Sequence, residues 1–193
     1  MTKKILITGA NGQLGHEMRN ALKGNNRFEC IFTDVAELDI CNAEAVKQII
    51  ADNHIDYIVN CAAYTQVDKA EDNAELCKKI NTDAVENLAR AAADYGARMI
   101  HISTDYVFNG RGYRPYTEDM VPDPQSVYGS TKLEGEKILT DICPESIIIR
   151  TAWLYSPYGN NFVKTMLHLG EEREELSVVA DQIGTPTCAA DLA

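Results

Sequence analysis

A chain of 193 residues that is 45% hydrophobic holds enough apolar material for one sizeable core, as a single domain or a domain with a small appendage. Twenty-nine acidic residues against eighteen basic ones give a net charge of −11, and gripping a phosphate backbone depends on clustered cations, so a nucleic-acid partner is excluded. The longest apolar runs reach about five residues against the ~20 that span a bilayer, and "MTKKILITG" carries no signal-peptide core, so no membrane partner is expected and the setting is cytoplasmic.

In chain order, apolar runs at Ile5–Ile7, Cys30–Phe32, Tyr57–Val59, Met99–Ile102, Ile147–Ile149 and Leu176–Val179 read as strands buried on both faces. Helical spacings fall between them. Leu14, Met18, Ala21 and Leu22 mark one helix, Val46, Ile49 and Ile50 a second, and Ile80, Ala84, Leu88 and Ala91 a third. This alternation predicts an α/β fold, a doubly wound parallel sheet with its ligand at the carboxyl ends of the strands. One long irregular stretch, Asp105 to Gln125, is punctuated by Gly110, Gly112, Pro115, Pro122 and Pro124, and loops of that length are usually functional or mobile. Six cysteines (Cys30, Cys41, Cys61, Cys77, Cys143, Cys188) form no CxxC pair, which leaves buried free thiols as the reading.

Two stretches carry chemistry. "ITGANGQLG", Ile7 to Gly15, leaves the first strand and enters the first helix, where glycines let backbone N–H groups approach a pyrophosphate beside the positive end of the helix. Asp34 follows the second strand, where a carboxylate can accept from a ribose hydroxyl. The second stretch is "SVYGSTKLEGE", Ser126 to Glu136, in which Tyr128 and Lys132 stand four apart on one helix face. An ammonium next to a phenol favours the phenolate and lowers its pKa toward the working range. Ser103 and Thr104 end the fourth apolar run, so hydroxyl, tyrosine and lysine meet at one sheet edge beside a dinucleotide site. Such a centre can reduce a carbonyl.

The blocks "GANGQLG", "NCAAYTQVDKAE", "INTDAVENLA", "STDYVFNG", "YGSTKLEGE", "RTAWLY", "GNNFVKTML" and "VADQIGTPT", in this order over nearly the whole chain, resemble the extended short-chain dehydrogenase/reductase superfamily. Within it they are similar to the dTDP-4-dehydrorhamnose reductase family. The resemblance implies a Rossmann-like domain and hydride transfer from NADPH or NADH to the C4 ketone of dTDP-4-dehydro-L-rhamnose, giving dTDP-L-rhamnose for polysaccharide biosynthesis.

It also implies roles for individual residues. Tyr128 donates the proton, Thr104 orients the carbonyl, and Lys132 holds the nicotinamide ribose while lowering the pKa of Tyr128. Gly9, Asn11, Gly12, Gln13, Leu14 and Gly15 wrap the pyrophosphate. Asp39 and Ile40 flank the adenine, while Cys61, Ala62, Ala63 and Tyr64 line the cofactor cleft, Cys61 standing where the family usually has a small residue such as alanine. Thr65, Val67, Ser103, Tyr106, Trp153, Asn161 and Gln182 are the implied sugar-nucleotide contacts, with a core position as the other reading of Trp153. No Arg stands beside Asp34 to clamp a 2′-phosphate, so NADH and NADPH both stay open.

Two rivals fit parts of the pattern. A non-catalytic regulatory subunit of the same fold would not need the intact Thr104, Tyr128 and Lys132 set. A nucleotide-sugar epimerase or dehydratase would draw on Asp105, but dehydratases follow it with a glutamate and here Tyr106 comes next. The resemblance further suggests Mg2+ between the subunits of a homodimer at Glu17, yet a single carboxylate is too little for a cation that needs several oxygen ligands, so no metal ligand is assigned. Finally, Pro186 and Thr187 read as a helix start with Thr187 as N-cap and Cys188 to Ala193 as the opening turn and a half. A helix that short is below the ~12–15 residues that are marginal alone. The expectation is therefore a chain interrupted at its C-terminus, with residues 1–193 the dinucleotide-binding domain and 154–193 the start of a small substrate domain largely missing. Such a chain should bind the cofactor but reduce the substrate poorly.

Overall fold

A computed structural model describes residues 2–193. Among them, five parallel strands form one sheet in the order β2 (Phe28–Thr33), β1 (Lys3–Thr8), β3 (Tyr57–Asn60), β4 (Arg98–Thr104), β5 (Ile147–Thr151). The chain leaves β1 toward one edge, returns past it, and continues toward the other. The reversal puts the switch point between β1 and β3, where open α/β sheets bind ligands. Five of the six expected strands stand where the apolar runs put them.

The central strands are buried on both sides. Leu6, Ile58 and Met99 face α2 (Ala43–Asn53), α5 (Ala84–Tyr95) and Leu139 of α6 (Val127–Ile142), while Ile5, Ile7 and Val59 face Met18 and Leu22 at α1 (Gln13–Ala21). Small residues let α5 lie close: Ala84, Ala89, Ala91 and Ala92 are all buried. Before it, α3 (Val67–Asp72) and α4 (Ala74–Lys78) lead into a π-helical turn at Lys79–Asp83. This turn presses Asn81 against α6, because a Cβ on Gly135 would lie 2.3 Å from the Asn81 carbonyl oxygen. Gly135→Ala should therefore overpack the contact and lower stability by about 1–3 kcal/mol, a fall in Tm of ~2–4 °C per kcal/mol for a domain this size, measurable by thermal unfolding.

Three expectations fail here. Leu176–Val179 forms no strand: Leu176, Val178 and Val179 are exposed. A β-branched run becomes a strand only where a sheet edge receives it, and none of the described residues pairs with this one. Thr187 is not an N-cap; with Cys188 it forms β7, which pairs with β6 (Leu154–Tyr155), and Cys188 precedes the short α8 (Ala189–Leu192). Of the six free thiols only Cys77 is fully buried, the others partly so. The helix α7 (Phe162–Glu172) buries none of its residues, and the long stretch after β4 opens with one 3-10 turn at Asp105–Val107.

Candidate active site

The strand ends at the switch point open into a cleft of about 950 Å3. On one wall the glycine turn closes on itself, with the N–H of Gly12 donating to the Gly9 carbonyl at 3.0 Å. Gly9 has φ +65°, and a Cβ there would sit 2.7 Å from the Ala62 nitrogen after β3. Gly15 is equally constrained, since its Cβ would come within 2.4 Å of the Gly9 carbonyl oxygen. Gly12 is different: it starts α1, lines the cleft, and its added Cβ would meet only the Gly9 oxygen at 3.2 Å. Bare backbone thus faces the cleft at a helix N-terminus, an arrangement that fits a pyrophosphate.

Asp34 follows the second strand as expected, but its carboxylate also braces the turn. Oδ2 accepts from the N–H of Asn11 at 2.9 Å, and Oδ1 accepts from the N–H of Val35. Asp39, Ile40, Cys61, Ala62 and Ala63 line the cleft with it, together with Gln13 and Leu14. Burial pushes the Cys61 thiol up to about 12, so it is an inert wall rather than a nucleophile.

The opposite wall carries Ser103, Thr104, Tyr128 and Lys132. Ser126 caps α6, accepting from the N–H of Gly129 at 3.0 Å, and so fixes where Tyr128 and Lys132 begin. Gly129 lets the helix seat against the loop: a Cβ there would lie 2.2 Å from the Tyr106 carbonyl oxygen. The Tyr128 ring packs edge-on to Tyr106, with centroids 5.5 Å apart, over Ala70 and Cys77. The Ser103 hydroxyl is buried without a partner among the described residues. Thr104 Oγ1 donates to Asp105 Oδ1 and accepts from the N–H of Tyr106, both at 3.2 Å.

One electrostatic expectation is corrected. Burial drives the Tyr128 phenol up to about 12, with the Thr104 hydroxyl pulling the other way and Asp105 raising it further. The lysine is turned elsewhere: Lys132 Nζ donates to the Ile102 carbonyl at 2.7 Å and lies 3.1 Å from His101 Nε2. Burial holds Lys132 down at about 8. Two polar groups sharing one apolar site each lose hydration, and here that outweighs the stabilisation of a phenolate by a neighbouring ammonium.

Thr65, Val67, Tyr106 and Trp153 also line the cleft. Trp153 is 39% exposed with φ +51°, so it is not a core tryptophan but a residue held at the rim in an uncommon backbone conformation. Gly15, Tyr64, Asn161 and Gln182 are not among the lining residues. Tyr64 is clamped through its backbone by Asn81, whose Oδ1 accepts from its N–H and whose Nδ2 donates to its carbonyl. Asn161 caps α7 and donates to Gln13 Oε1 at 2.9 Å and to the Ser156 carbonyl at 2.8 Å. Gln182 lies on the exposed stretch before β7. Glu17 is buried and accepts from Asn20 Nδ2; among the described residues no group of three or more His, Cys, Asp or Glu could hold a metal.

Sequence reasoning passed over the buried polar row behind this wall. Thr8, Asn60 and His101 link β1, β3 and β4 and end at Lys132. Only His101, a polar letter between the apolar ones of "MIHI", gave any hint of it.

A family model described as RmlD substrate binding domain matches residues 3–193. A dTDP-4-dehydrorhamnose reductase of Escherichia coli K12 is 48% identical over 193 residues, covering 98% of this chain and 64% of its own length. The crystal structure of a dTDP-4-dehydrorhamnose reductase from Clostridium acetobutylicum superposes with a TM-score of 0.95 at 53% identity, over 98% of this chain and 67% of that one. That of Bacillus anthracis in complex with NADP gives 0.96 at 45%, over all of this chain and 68% of that one. The chain thus spans about 65% of the length of the curated relatives it matches.

Proposed function

Because the chain belongs to the RmlD substrate binding domain family, we propose that it binds NADPH or NADH in this cleft and takes part in reducing the C4 ketone of dTDP-4-dehydro-L-rhamnose to dTDP-L-rhamnose. One observation carries the reading: a glycine turn suited to pyrophosphate and the Ser103, Thr104, Tyr128, Lys132 group line the same cleft. The likeness to a relative in complex with NADP supports the cofactor.

Gly12, Gln13 and Leu14 hold the pyrophosphate at the start of α1, and Asp34, Asp39 and Ile40 hold the adenosine end. Reduced nicotinamide, when bound, supplies a hydride. Tyr128 then gives its proton to the oxygen that becomes the new hydroxyl. Its raised pKa keeps the phenol protonated at neutral pH, which is the form a general acid needs. Ser103 and Thr104 orient the carbonyl with their hydroxyls, and Lys132 holds the nicotinamide ribose. A nucleotide sugar and a reduced dinucleotide are cytoplasmic substrates, and among the described residues no helix is long and apolar enough to cross a membrane.

The decisive assay follows nicotinamide absorbance with dTDP-4-dehydro-L-rhamnose present. Loss of absorbance matched by formation of dTDP-L-rhamnose is the expected result; NADPH binding with no turnover of that sugar, but with turnover of another 4-keto nucleotide sugar, would reassign the substrate.

A further inference from the structure

His101 is fully buried in β4 and has no part in the chemistry above. Its Nδ1 lies 3.0 Å from Asn60 Nδ2 and its Nε2 lies 3.1 Å from Lys132 Nζ. The direction of both contacts follows from Asn60. The backbone N–H of Ala62 can only donate, and it meets Asn60 Oδ1 at 3.1 Å. The Thr8 hydroxyl donates to the same oxygen at 2.7 Å. The nitrogen of the Asn60 amide, which can only donate, therefore faces His101 Nδ1, and that atom must accept.

A ring nitrogen that accepts carries no proton. The single proton of a neutral imidazole is then on Nε2, and an imidazolium is excluded by the same contact. Burial agrees, holding His101 well below the usual imidazole range. The Nε2–H thus points at Lys132 Nζ, which already donates to the Ile102 carbonyl at 2.7 Å. This bond closes only if Nζ offers a lone pair. An ammonium would set N–H against N–H.

We propose that His101 is a positioning residue: fixed by Asn60 with its proton on Nε2, it docks Lys132 as the neutral amine, and protonation of Lys132 from solvent releases its tip toward the cleft, where ribose hydroxyls can accept from the ammonium. The inference rests on the ribose-holding role of Lys132 proposed above. The groups around Lys132 set where the change falls. Desolvation, opposed by Glu136 on the same helix and Cys77 from α4, brings its pKa down to about 8. Glu136 is itself held by Arg150 from β5, with 2.6 Å between Nη2 and Oε2. Tyr128 stands one turn before Lys132 on α6, and His101 and the Ile102 carbonyl face it from β4. The change therefore lies near physiological pH rather than in the ordinary lysine range.

Imidazole 15N shifts of the cofactor-free protein test the first half. The expected result is the Nε2–H tautomer for His101 from about pH 6 to about pH 9, a window on either side of the Lys132 midpoint; an Nδ1–H tautomer or an imidazolium overturns the proposal without any variant. The second half is read from the Cε signal of 13C-labelled Lys132. Its midpoint should lie at about 8 and rise by about one unit in His101→Leu, because a donor that stabilises the amine is lost, an effect comparable to one hydrogen bond. An unchanged midpoint in the folded variant overturns the docking.

Titration with NADPH separates this idea from the reading it rests on. In the wild type, affinity should be full below the Lys132 midpoint and weaken as pH rises through it, since the free lysine then lacks the proton that the complex holds. In His101→Leu that fall should move to higher pH. If the tautomer and midpoint are as expected but NADPH does not bind, the proposed function fails and the docking stands; if NADPH binds but His101 carries its proton on Nδ1, the docking fails and the proposed function stands.

Discussion

For the reaction proposed above, Tyr128→Phe is expected to lower turnover of dTDP-4-dehydro-L-rhamnose by about 10²–10⁴-fold, the usual loss when a general acid is removed, which is roughly 2.7–5.4 kcal/mol in the barrier. NADPH affinity should hardly change. The phenyl ring keeps its edge-on contact with Tyr106 and its seat over Ala70 and Cys77, and only the hydroxyl at the reacting end is lost. The phenol it replaces is protonated throughout the working range, so the variant removes a proton donor and not a charge. Steady-state rates set beside an NADPH titration decide the matter. A large rise in the NADPH dissociation constant with intact turnover would move Tyr128 from proton donor to cofactor wall.

Substitutions at two glycines of one turn should fail in different ways. Gly12→Val places its side chain in the cleft, and its Cβ meets only the Gly9 carbonyl oxygen at 3.2 Å, in a backbone conformation that valine can adopt. The protein should fold with a melting temperature close to the parent. It should nonetheless lose NADPH affinity by about 10–10²-fold, as a steric clash of ~1–3 kcal/mol implies. Gly15→Val faces the Gly9 carbonyl oxygen at 2.4 Å and Ala10 Cα at 2.5 Å. Backbone cannot yield there without moving α1, so that variant should lose at least ~3 kcal/mol of stability. Thermal unfolding and isothermal titration on both variants distinguish the cases. Normal NADPH binding by Gly12→Val would make the turn a purely structural device.

These two stretches were also the most legible parts of the sequence. A turn that must pass near other backbone admits only glycine at Gly9 and Gly15, so its chemistry is written in the residue letters. Tyr128 and Lys132 were legible because helical spacing alone puts them on one face. Where Lys132 Nζ ends was not, since that depends on Ile102 and His101 from a strand some thirty residues away in sequence. His101 itself hid in an apolar strand. Periodicity reports which positions are buried, not which buried polar groups find one another. The same limit explains Leu176–Val179: an apolar β-branched run looks alike whether or not a strand edge is there to pair with it. The absence of Asn161 and Tyr64 from the cleft lining has a related reason. Each is held by a side chain distant in sequence, Asn161 against Gln13 and Tyr64 by Asn81.

The π-helical turn at Lys79–Asp83 separates two tasks that a continuous helix would have to combine. Such a turn amounts to one extra residue absorbed inside a helix, so α5 keeps its alanine face on the sheet while the bulge swings Asn81 round to grip the backbone of Tyr64 and lean on α6 at Gly135. The scaffold's register is thereby decoupled from the aim of the segment after β3. That segment, with Cys61, Ala62, Ala63 and Thr65 on the cleft, can be re-aimed by changes within the turn itself while the buried packing of Ala84, Leu88 and Ala91 stays as it is.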